Sequence, residues 1–405
     1  MPGHLSETFA ALAVRPFRIL WTGTLFAFVG FFMSTVVQSV VAFDLTGQNR
    51  AVGTVVFAQG LMMFAFGPLG GALADRLPKR RVIATCQLLT MTVFWVLAWA
   101  IAGDRISIAG LVGGSLVMGA SFAFLGPARQ SLVVELVGPE HRGNAIALSQ
   151  VANSACRVVG PALGGAFLVW STNGAWLAYI TVGIFYLVSA LSLGLLPKSR
   201  VPEGARAKHV FADVLDGLRY VRGDERLRTL LVLFTLVIVI GFPYVTTLPG
   251  FVENQLGLPA ESSSVLFGAS AFGGLVAGLL VARYADSPRA PALFSWMALG
   301  FGVSLVGTAL APSFFTVTLA MVVVGLLSGG FQTLAGAVII RSAEPRYVGR
   351  VISLTMLSFG GFGLMALPIG YLADAFGERA TIAGAGVAVC AVVIWSRRSG
   401  FFSAT

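Results

Sequence analysis

Charge is scarce in this sequence. Only 11% of its 405 residues are Asp, Glu, Lys or Arg, and 57% are apolar. A typical soluble domain has about 25% charged and about 45–50% apolar residues. The composition therefore excludes an ordinary soluble domain and predicts a protein that lives in a lipid bilayer.

Histidine and cysteine are also rare, and neither is placed for chemistry. The histidines lie in polar segments and the cysteines lie in apolar runs without paired spacing: His4, His141, His209, Cys86, Cys156 and Cys390. Zinc sites and disulfide frameworks need clustered or paired residues, and a phosphate-binding loop needs a Gly-rich run ending in Lys-Ser/Thr. We therefore expect no metal, no cofactor, no direct use of ATP and no enzymatic activity.

What the sequence does contain is long apolar runs. A bilayer core needs roughly 20 apolar residues as a helix, and twelve such runs are present, at about 19–43, 51–75, 82–102, 107–128, 144–168, 174–196, 229–250, 263–283, 291–311, 314–340, 350–373 and 380–396. The prediction is an all-α membrane protein with twelve transmembrane helices. It comprises an N-terminal six-helix bundle at 1–196, a cytoplasmic central loop at 197–228 and a C-terminal six-helix bundle at 229–405.

The positions of Lys and Arg predict the orientation. Of the 27 basic residues, all but Arg50, Arg105, Arg157 and Arg379 fall on the side that holds the N-terminus, and cytoplasmic loops carry the excess of basic residues. Both termini are therefore expected in the cytoplasm, with the protein in the cell (plasma or inner) membrane. Because the cations fall between apolar runs, the net charge of +10 does not predict a nucleic-acid-binding face.

The two halves of the chain resemble each other. "PEHRGNAIAL" at 139–148 aligns with "PRYVGRVISL" at 345–354 at an offset of 206, and Gly67, Gly71 and Arg76 align with residues 207 positions later. A six-plus-six repeat is typical of transporters whose halves rock about a central site.

The charged stretch "GALADRLPKRR" at 71–81 resembles the loop signature between spans two and three of the major facilitator superfamily, although Pro78 replaces the usual Gly. "AFDLTGQNRAVG", "FLGPARQSLVVELV" and "RVVGPALGG" resemble the branch with the enterobactin exporter and macrolide-efflux proteins. The resemblance implies a monomer built of two six-helix bundles. It also implies a secondary transporter, by default a proton antiporter, that exports a small organic molecule such as a siderophore or drug. An importer of a nutrient anion and a non-transporting sensor on the same scaffold are the alternatives.

Asp75 lies at the cytoplasmic end of span two, where a partly desolvated acid needs a partner. The resemblance implies a conformational latch that docks this acid on the start of span eleven and on an arginine from span four. The residues expected in the latch are Gly71, Asp75, Arg76, Arg129 and Arg350. Lys79, Arg80 and Arg81 are instead expected to anchor topology.

Arg157 is expected about 20 Å into span five at 1.5 Å per residue, close to mid-membrane. A charge there costs at least about 2.5–3.5 kcal/mol and usually faces a cavity or a partner. We expect it to bind substrate, in which case an anionic or strongly hydrogen-bonding molecule is favoured. The alternative is a structural role, with Arg157 paired to backbone carbonyls or to Asp44.

The rest of span five resembles the signature of drug–proton antiporters. Small residues permit close helix approach and a proline removes one backbone hydrogen bond, so a helix flexure is expected at Gly160, Pro161, Gly164 and Gly165. Cys156 departs from the fuller pattern, and the mid-helix arginine of many proton-coupled members is absent from span four. Asp44 is the remaining candidate for proton coupling, although "DLTG" is equally typical of a cap and turn.

Other polar residues inside the spans are candidates for a substrate cavity. Gln38, Asn153, Tyr244 and Gln332 are expected to bind substrate with Arg157, and helix–helix hydrogen bonds are the alternative role for each. In the central loop, Phe211, Val214, Leu215 and Leu218 recur at helical spacing. That spacing predicts an amphipathic helix on the inner membrane surface.

Overall fold

The computed structural model describes residues 10–74, 77–170, 174–197, 210–284, 287–344 and 347–398. Within those ranges the chain is helical between short turns and contains no strand, which confirms the all-α prediction. The long helices are α1 Arg15–Asp44, α2 Asn49–Ala74, α3 Lys79–Ala102, α4 Ile108–Leu136, α5 Arg142–Trp170, α6 Gly174–Gly194, α7 Val210–Gly223, α8 Glu225–Leu236, α9 Ser263–Val281, α10 Ala290–Leu310, α11 Phe314–Ser342, α12 Val348–Phe376 and α13 Glu378–Arg398.

Eleven of the predicted spans coincide with stretches that are long and apolar enough to cross a membrane. Among the described helices, α5 is long enough, at 29 residues, but is not one of those eleven. Its sequence includes Asn153, Ser154 and Arg157, and such polar side chains lower its hydropathy. The expected helix in the central loop is present as α7.

The seventh span is irregular. It continues from α8 through a π turn at Val237–Gly241, a 3₁₀ turn at Phe242–Thr247 and a second π turn at Phe251–Gln255. Pro243 and Pro249 lie in this stretch, and proline has no N–H to donate to the helix ladder. The hydrogen-bond register therefore changes several times within one span of 31 residues.

The chain forms two compact units. The first comprises residues 1–37 and 65–208, and the second comprises residues 38–64 and 209–405. The second unit therefore includes the end of α1 and the first half of α2 in addition to the helices of the C-terminal half.

In the first unit, α3 packs against α4 and α6. The buried amide of Gln87 on α3 donates to the hydroxyl of Ser189 on α6 at 2.8 Å, which satisfies a polar group inside the bundle. Gly183 on α6 lies directly against the indole ring of Trp95, and this close approach depends on the absence of a side chain.

In the second unit, α11 packs against α9 and α10, and α10 packs against α13. A Cβ on Gly325 of α11 would lie 2.6 Å from the carbonyl carbon of Ser270 on α9, so these two backbones are in direct contact. Phe331 of α11 stacks on Phe294 of α10 with ring centroids 4.9 Å apart. Small residues and stacked rings thus bring the helices of this unit together.

Candidate substrate and gating sites

Helix α5 of the first unit has a buried face and an exposed face. Ala152, Cys156 and Gly160 are buried, whereas Gln150 and Arg157 are exposed. The two exposed residues are seven apart, which is about two helical turns, so they share one face. Helix α5 therefore presents a polar stripe along a face that its own bundle does not cover.

The buried face of α5 packs closely on α1. A Cβ on Gly160 would lie 2.6 Å from the Cβ of Phe32, and one on Gly164 would lie 3.2 Å from the carbonyl oxygen of Met33. Pro161 and Gly165 are buried beside them. The helix runs without a break through Pro161, so the four expected flexure residues form a small-residue contact with α1, and flexure there stays a prediction.

The guanidinium of Arg157 lies beside an aromatic ring. Its Cζ is 5.6 Å from the ring centroid of Phe32 on α1, within the range of a cation–π contact. This contact holds the side chain at the middle of α5, and the charge stays on the exposed face.

The other four expected substrate residues divide between the units. Asn153 is half-buried in the first unit, and Gln332 is half-buried in the second. Gln38 and Tyr244 are buried in the second unit, where the Tyr244 hydroxyl lies 3.4 Å from the hydroxyl of Ser270. Their role in binding stays a prediction.

Arg129 lies on α4 in the first unit. Its Cζ is 5.0 Å from the ring centroid of Phe28 on α1, and its Nε is buried without a hydrogen-bond partner among the described residues. Asp75, its expected partner, and Arg76 lie outside the described residues, as do the surroundings of Gly71. The Nε–H of Arg129 is thus available to donate a hydrogen bond to a carboxylate.

Two of the three cations expected only to anchor topology make specific contacts in the first unit. The Lys79 ammonium lies 3.0 Å from the carboxylate of Glu135 on α4. The Arg80 guanidinium donates to the carbonyl oxygens of Leu196 and Gly194 at 2.6 and 3.0 Å, at the end of α6, where carbonyls lack helical partners. Lys79 and Arg80 therefore connect the start of α3 to α4 and to the end of α6.

Arg350 on α12, expected in the latch with Asp75, pairs with the carboxylate of Asp216 on α7. Tyr220 on α7 stacks on Tyr347 with centroids 4.0 Å apart, and its hydroxyl accepts from the N–H of Glu344 at 3.0 Å. The amphipathic helix is thus docked on the start of α12. Its expected contact with the membrane surface stays a prediction.

At the far end of α12, Asp374 caps the first turn of α2. Its two carboxylate oxygens accept from the N–H groups of Asn49 at 2.7 Å and Arg50 at 3.0 Å. The first N–H groups of a helix have no partner within the helix, and a carboxylate there is also favoured by the helix dipole. The cap of α2 is therefore supplied from 325 residues away.

Glu378, the first residue of α13, joins the same cluster. It is only 3% exposed, and its carboxylate accepts from the side-chain amides of Asn49 at 2.9 Å, Asn254 at 2.7 Å and Gln255 at 2.9 Å. A buried carboxylate is tolerated when it is hydrogen-bonded. Three amides from two other segments provide those bonds.

The "DLTG" stretch forms a turn. Asp44 is the last residue of α1 and is exposed, and Gly47 has a φ of +63°, a conformation that glycine adopts without strain. The cap of the next helix comes from Asp374 rather than from this stretch. Proton coupling through Asp44 stays a prediction.

No role is predicted for Asp374 or Glu378 from the sequence, although a repeated pentapeptide could have drawn attention to Asp374. The pattern Gly-x-Leu-Ala-Asp occurs at 71–75, where α2 ends, and again at 370–374, near the end of α12.

Among the described residues, no three His, Cys, Asp or Glu side chains are grouped to hold a metal ion.

Comparisons with known proteins agree with the fold. A family model described as Major Facilitator Superfamily matches residues 20–363. The chain is 25% identical over 378 residues to Macrolide efflux protein A of Streptococcus pyogenes, covering 90% of this chain and 89% of that protein. It is 23% identical over 364 residues to the Staphyloferrin A transporter of Staphylococcus aureus, covering 87% and 89%.

Among solved structures, the chain is similar to a bacterial homologue of the human lysosomal transporter Spinster in an inward-facing and occupied conformation. The TM-score is 0.74 at 17% identity, and the match covers 95% of this chain and 97% of that one. At that identity the similarity shows a shared fold only.

Proposed function

Because this chain belongs to the major facilitator superfamily, and is thus a transporter rather than an enzyme, we propose that it exports a small organic molecule from the cytoplasm by alternating access. We propose that it lies in the cell membrane, and the distribution of Lys and Arg favours an orientation with both termini in the cytoplasm. We propose that it acts as a monomer.

The names of its relatives support export of an organic molecule. One is named for macrolide efflux and another for a siderophore, and each is similar over about nine-tenths of this chain. These names support a substrate class of siderophore-like or drug-like molecules.

The observation that carries the substrate proposal is the position of Arg157. It lies on the exposed face of α5, beside the Phe32 ring, midway along a helix of 29 residues. A cation at that depth is costly and marks functional positions by default. An anionic or strongly hydrogen-bonding substrate would offset the cost of desolvating the guanidinium.

We further propose that Asn153 contributes to the substrate site with Arg157, and that Gln38, Tyr244 and Gln332 contribute from the second unit. A proton gradient is the proposed energy source, with Asp44 as the residue that exchanges the proton. Asp75 is the proposed inner latch, with Arg129 as its partner.

The test is uptake into inside-out vesicles of two probes, an anionic carboxylate siderophore and a macrolide that carries a basic amine, each with and without an imposed proton gradient. Gradient-driven uptake of the siderophore alone supports the whole proposal. Uptake of the macrolide alone contradicts the role of Arg157. Accumulation only in right-side-out vesicles contradicts export and supports the importer.

Arg157→Ala should reduce uptake of the siderophore at least tenfold, since a lost charge-assisted contact costs about 1.5–3 kcal/mol and 1.4 kcal/mol is about tenfold. Arg105→Ala is the matched control, because Arg105 also lies beside an aromatic ring, that of Trp99, at 5.6 Å, but outside the helices. Equal uptake by the two variants, at equal amounts of folded protein, would contradict the cavity role.

A further inference from the structure

We propose that Asp374 and Glu378 form an outer latch, which holds the N-terminus of α2 against α12 and α13 and must release before the outer face of the transporter opens. The latch rests on the proposed alternating access. Its members all belong to the second compact unit, which includes the first half of α2.

The first component is the cap of α2. Because Asp374 accepts both Asn49 N–H and Arg50 N–H, moving α2 away from α12 would leave two helix N–H groups and a carboxylate without these partners. Asn49 is only 1% exposed, so its N–H could be rehydrated only after the contact opens, whereas the carboxylate of Asp374 is already exposed. The buried N–H of Asn49 therefore favours the closed contact, and the exposed carboxylate gives water a place to enter.

The second component is Glu378. Its bonds to Asn49, Asn254 and Gln255 connect the start of α2, the end of the seventh span and the start of α13. Three segments that are far apart in the chain are joined through one buried carboxylate. A break at Glu378 would release all three together.

The third component is direct backbone contact below these polar groups. A Cβ on Gly53 of α2 would lie 2.6 Å from the carbonyl oxygen of Ala366 on α12, and one on Gly370 of α12 would lie 2.7 Å from the carbonyl oxygen of Asn49. Dispersion contacts of this kind weaken steeply when a gap of 0.5–1 Å opens. The α2–α12 contact would thus be lost abruptly rather than gradually.

The first measurement is hydrogen exchange of the full-length protein in lipid nanodiscs. In Asp374→Ala, the amides of Asn49 and Arg50 should exchange about tenfold faster, as for the loss of a helix cap. Glu253→Gln, which changes an exposed acid in the same unit, is the control and should leave them unchanged. Unchanged exchange in Asp374→Ala would refute the cap.

The second measurement separates a gate from a merely structural cap. In a variant without its three native cysteines, Ala366→Cys places a thiol at a position that is 0% exposed, and a membrane-impermeant maleimide is added outside intact cells. Labelling should rise about tenfold with Asp374→Ala, rise less with Glu378→Gln, and fall with Asp75→Asn. A labelling rate that is the same in all three variants as in the parent would refute the latch.

If Asp374→Ala fails to fold, Asp374→Asn keeps one acceptor oxygen and should give the same direction with a smaller change. The siderophore and macrolide assays then distinguish the two proposals. Labelling that responds while neither probe is transported would refute the proposed substrate and leave the latch standing. Transport that proceeds with unresponsive labelling would refute the latch alone.

Discussion

The backbone contact between α2 and α12 predicts that one added methyl group will shift the proposed outer latch toward its open state. In Gly60→Ala, the new Cβ would lie 2.8 Å from the carbonyl carbon of Gly363 and 3.1 Å from the carbonyl oxygen of Gly360. Carbon atoms pack at about 3.5–4.0 Å, so the two helices must separate by about 1 Å. Overpacking of this kind costs about 1–3 kcal/mol.

That cost falls on the conformation in which α2 and α12 touch. Since 1.4 kcal/mol is a factor of ten in an equilibrium constant, the population in which the outer contact is open should rise about tenfold. The assay is maleimide labelling of Ala366→Cys from outside, in the variant without native cysteines, with and without Gly60→Ala.

Gly67→Ala is the matched control. Gly67 lies seven residues further along α2, and a methyl group there meets no atom within 4 Å. Both substitutions gain a similar helix propensity of about 0.5–1 kcal/mol, so their ratio isolates the contact with Gly363. Equal labelling rates in the two variants would refute the argument.

Three further predictions concern the charged residues. Glu135→Gln should cost about 1–3 kcal/mol of stability, because it leaves the Lys79 ammonium, which is 11% exposed, without its carboxylate. The control Glu225→Gln removes the carboxylate of a pair that is exposed by 48% and 81% and should cost less than about 1 kcal/mol. Equal shifts of the two variants in thermal unfolding would contradict this. The cycle of Asp216→Asn and Arg350→Gln should give a coupling energy of about 1 kcal/mol or less, since both side chains are partly exposed, and a larger value in the same unfolding assay would require a buried pair. Asp44→Asn should flatten the pH dependence of gradient-driven uptake, and an unchanged pH profile would remove Asp44 from proton coupling.

The helices could be predicted because long apolar runs separated by polar residues determine where a chain crosses a bilayer. The first span was predicted at 19–43 and is found as Arg15–Asp44, and the fifth was predicted at 144–168 and is found as Arg142–Trp170. The ends differ by a few residues because a helix continues into the membrane interface, where hydropathy gives no signal. The π turns of the seventh span have no signal in hydropathy either, although Pro243 and Pro249 mark the stretch.

The candidate site was predictable only where one residue carries the signal. Arg157 is conspicuous because a charge within an apolar run is rare, and its role in substrate binding stays a prediction. The partners of Arg350 and Asp374 were not predictable, because Asp216 and Asn49 are 134 and 325 residues away. Only the packing of helices decides such pairs.

The polar stripe of α5 also has a consequence for how the protein is made. A helix whose hydropathy falls short of the other spans gains little by entering lipid alone, and Arg157 adds to the cost at the insertion machinery. Its glycine face fits α1, which is synthesised first and is itself strongly apolar. We therefore expect α5 to partition from the translocon only alongside α1, so that a substitution such as Gly160→Leu would reduce the yield of inserted protein before it affected transport.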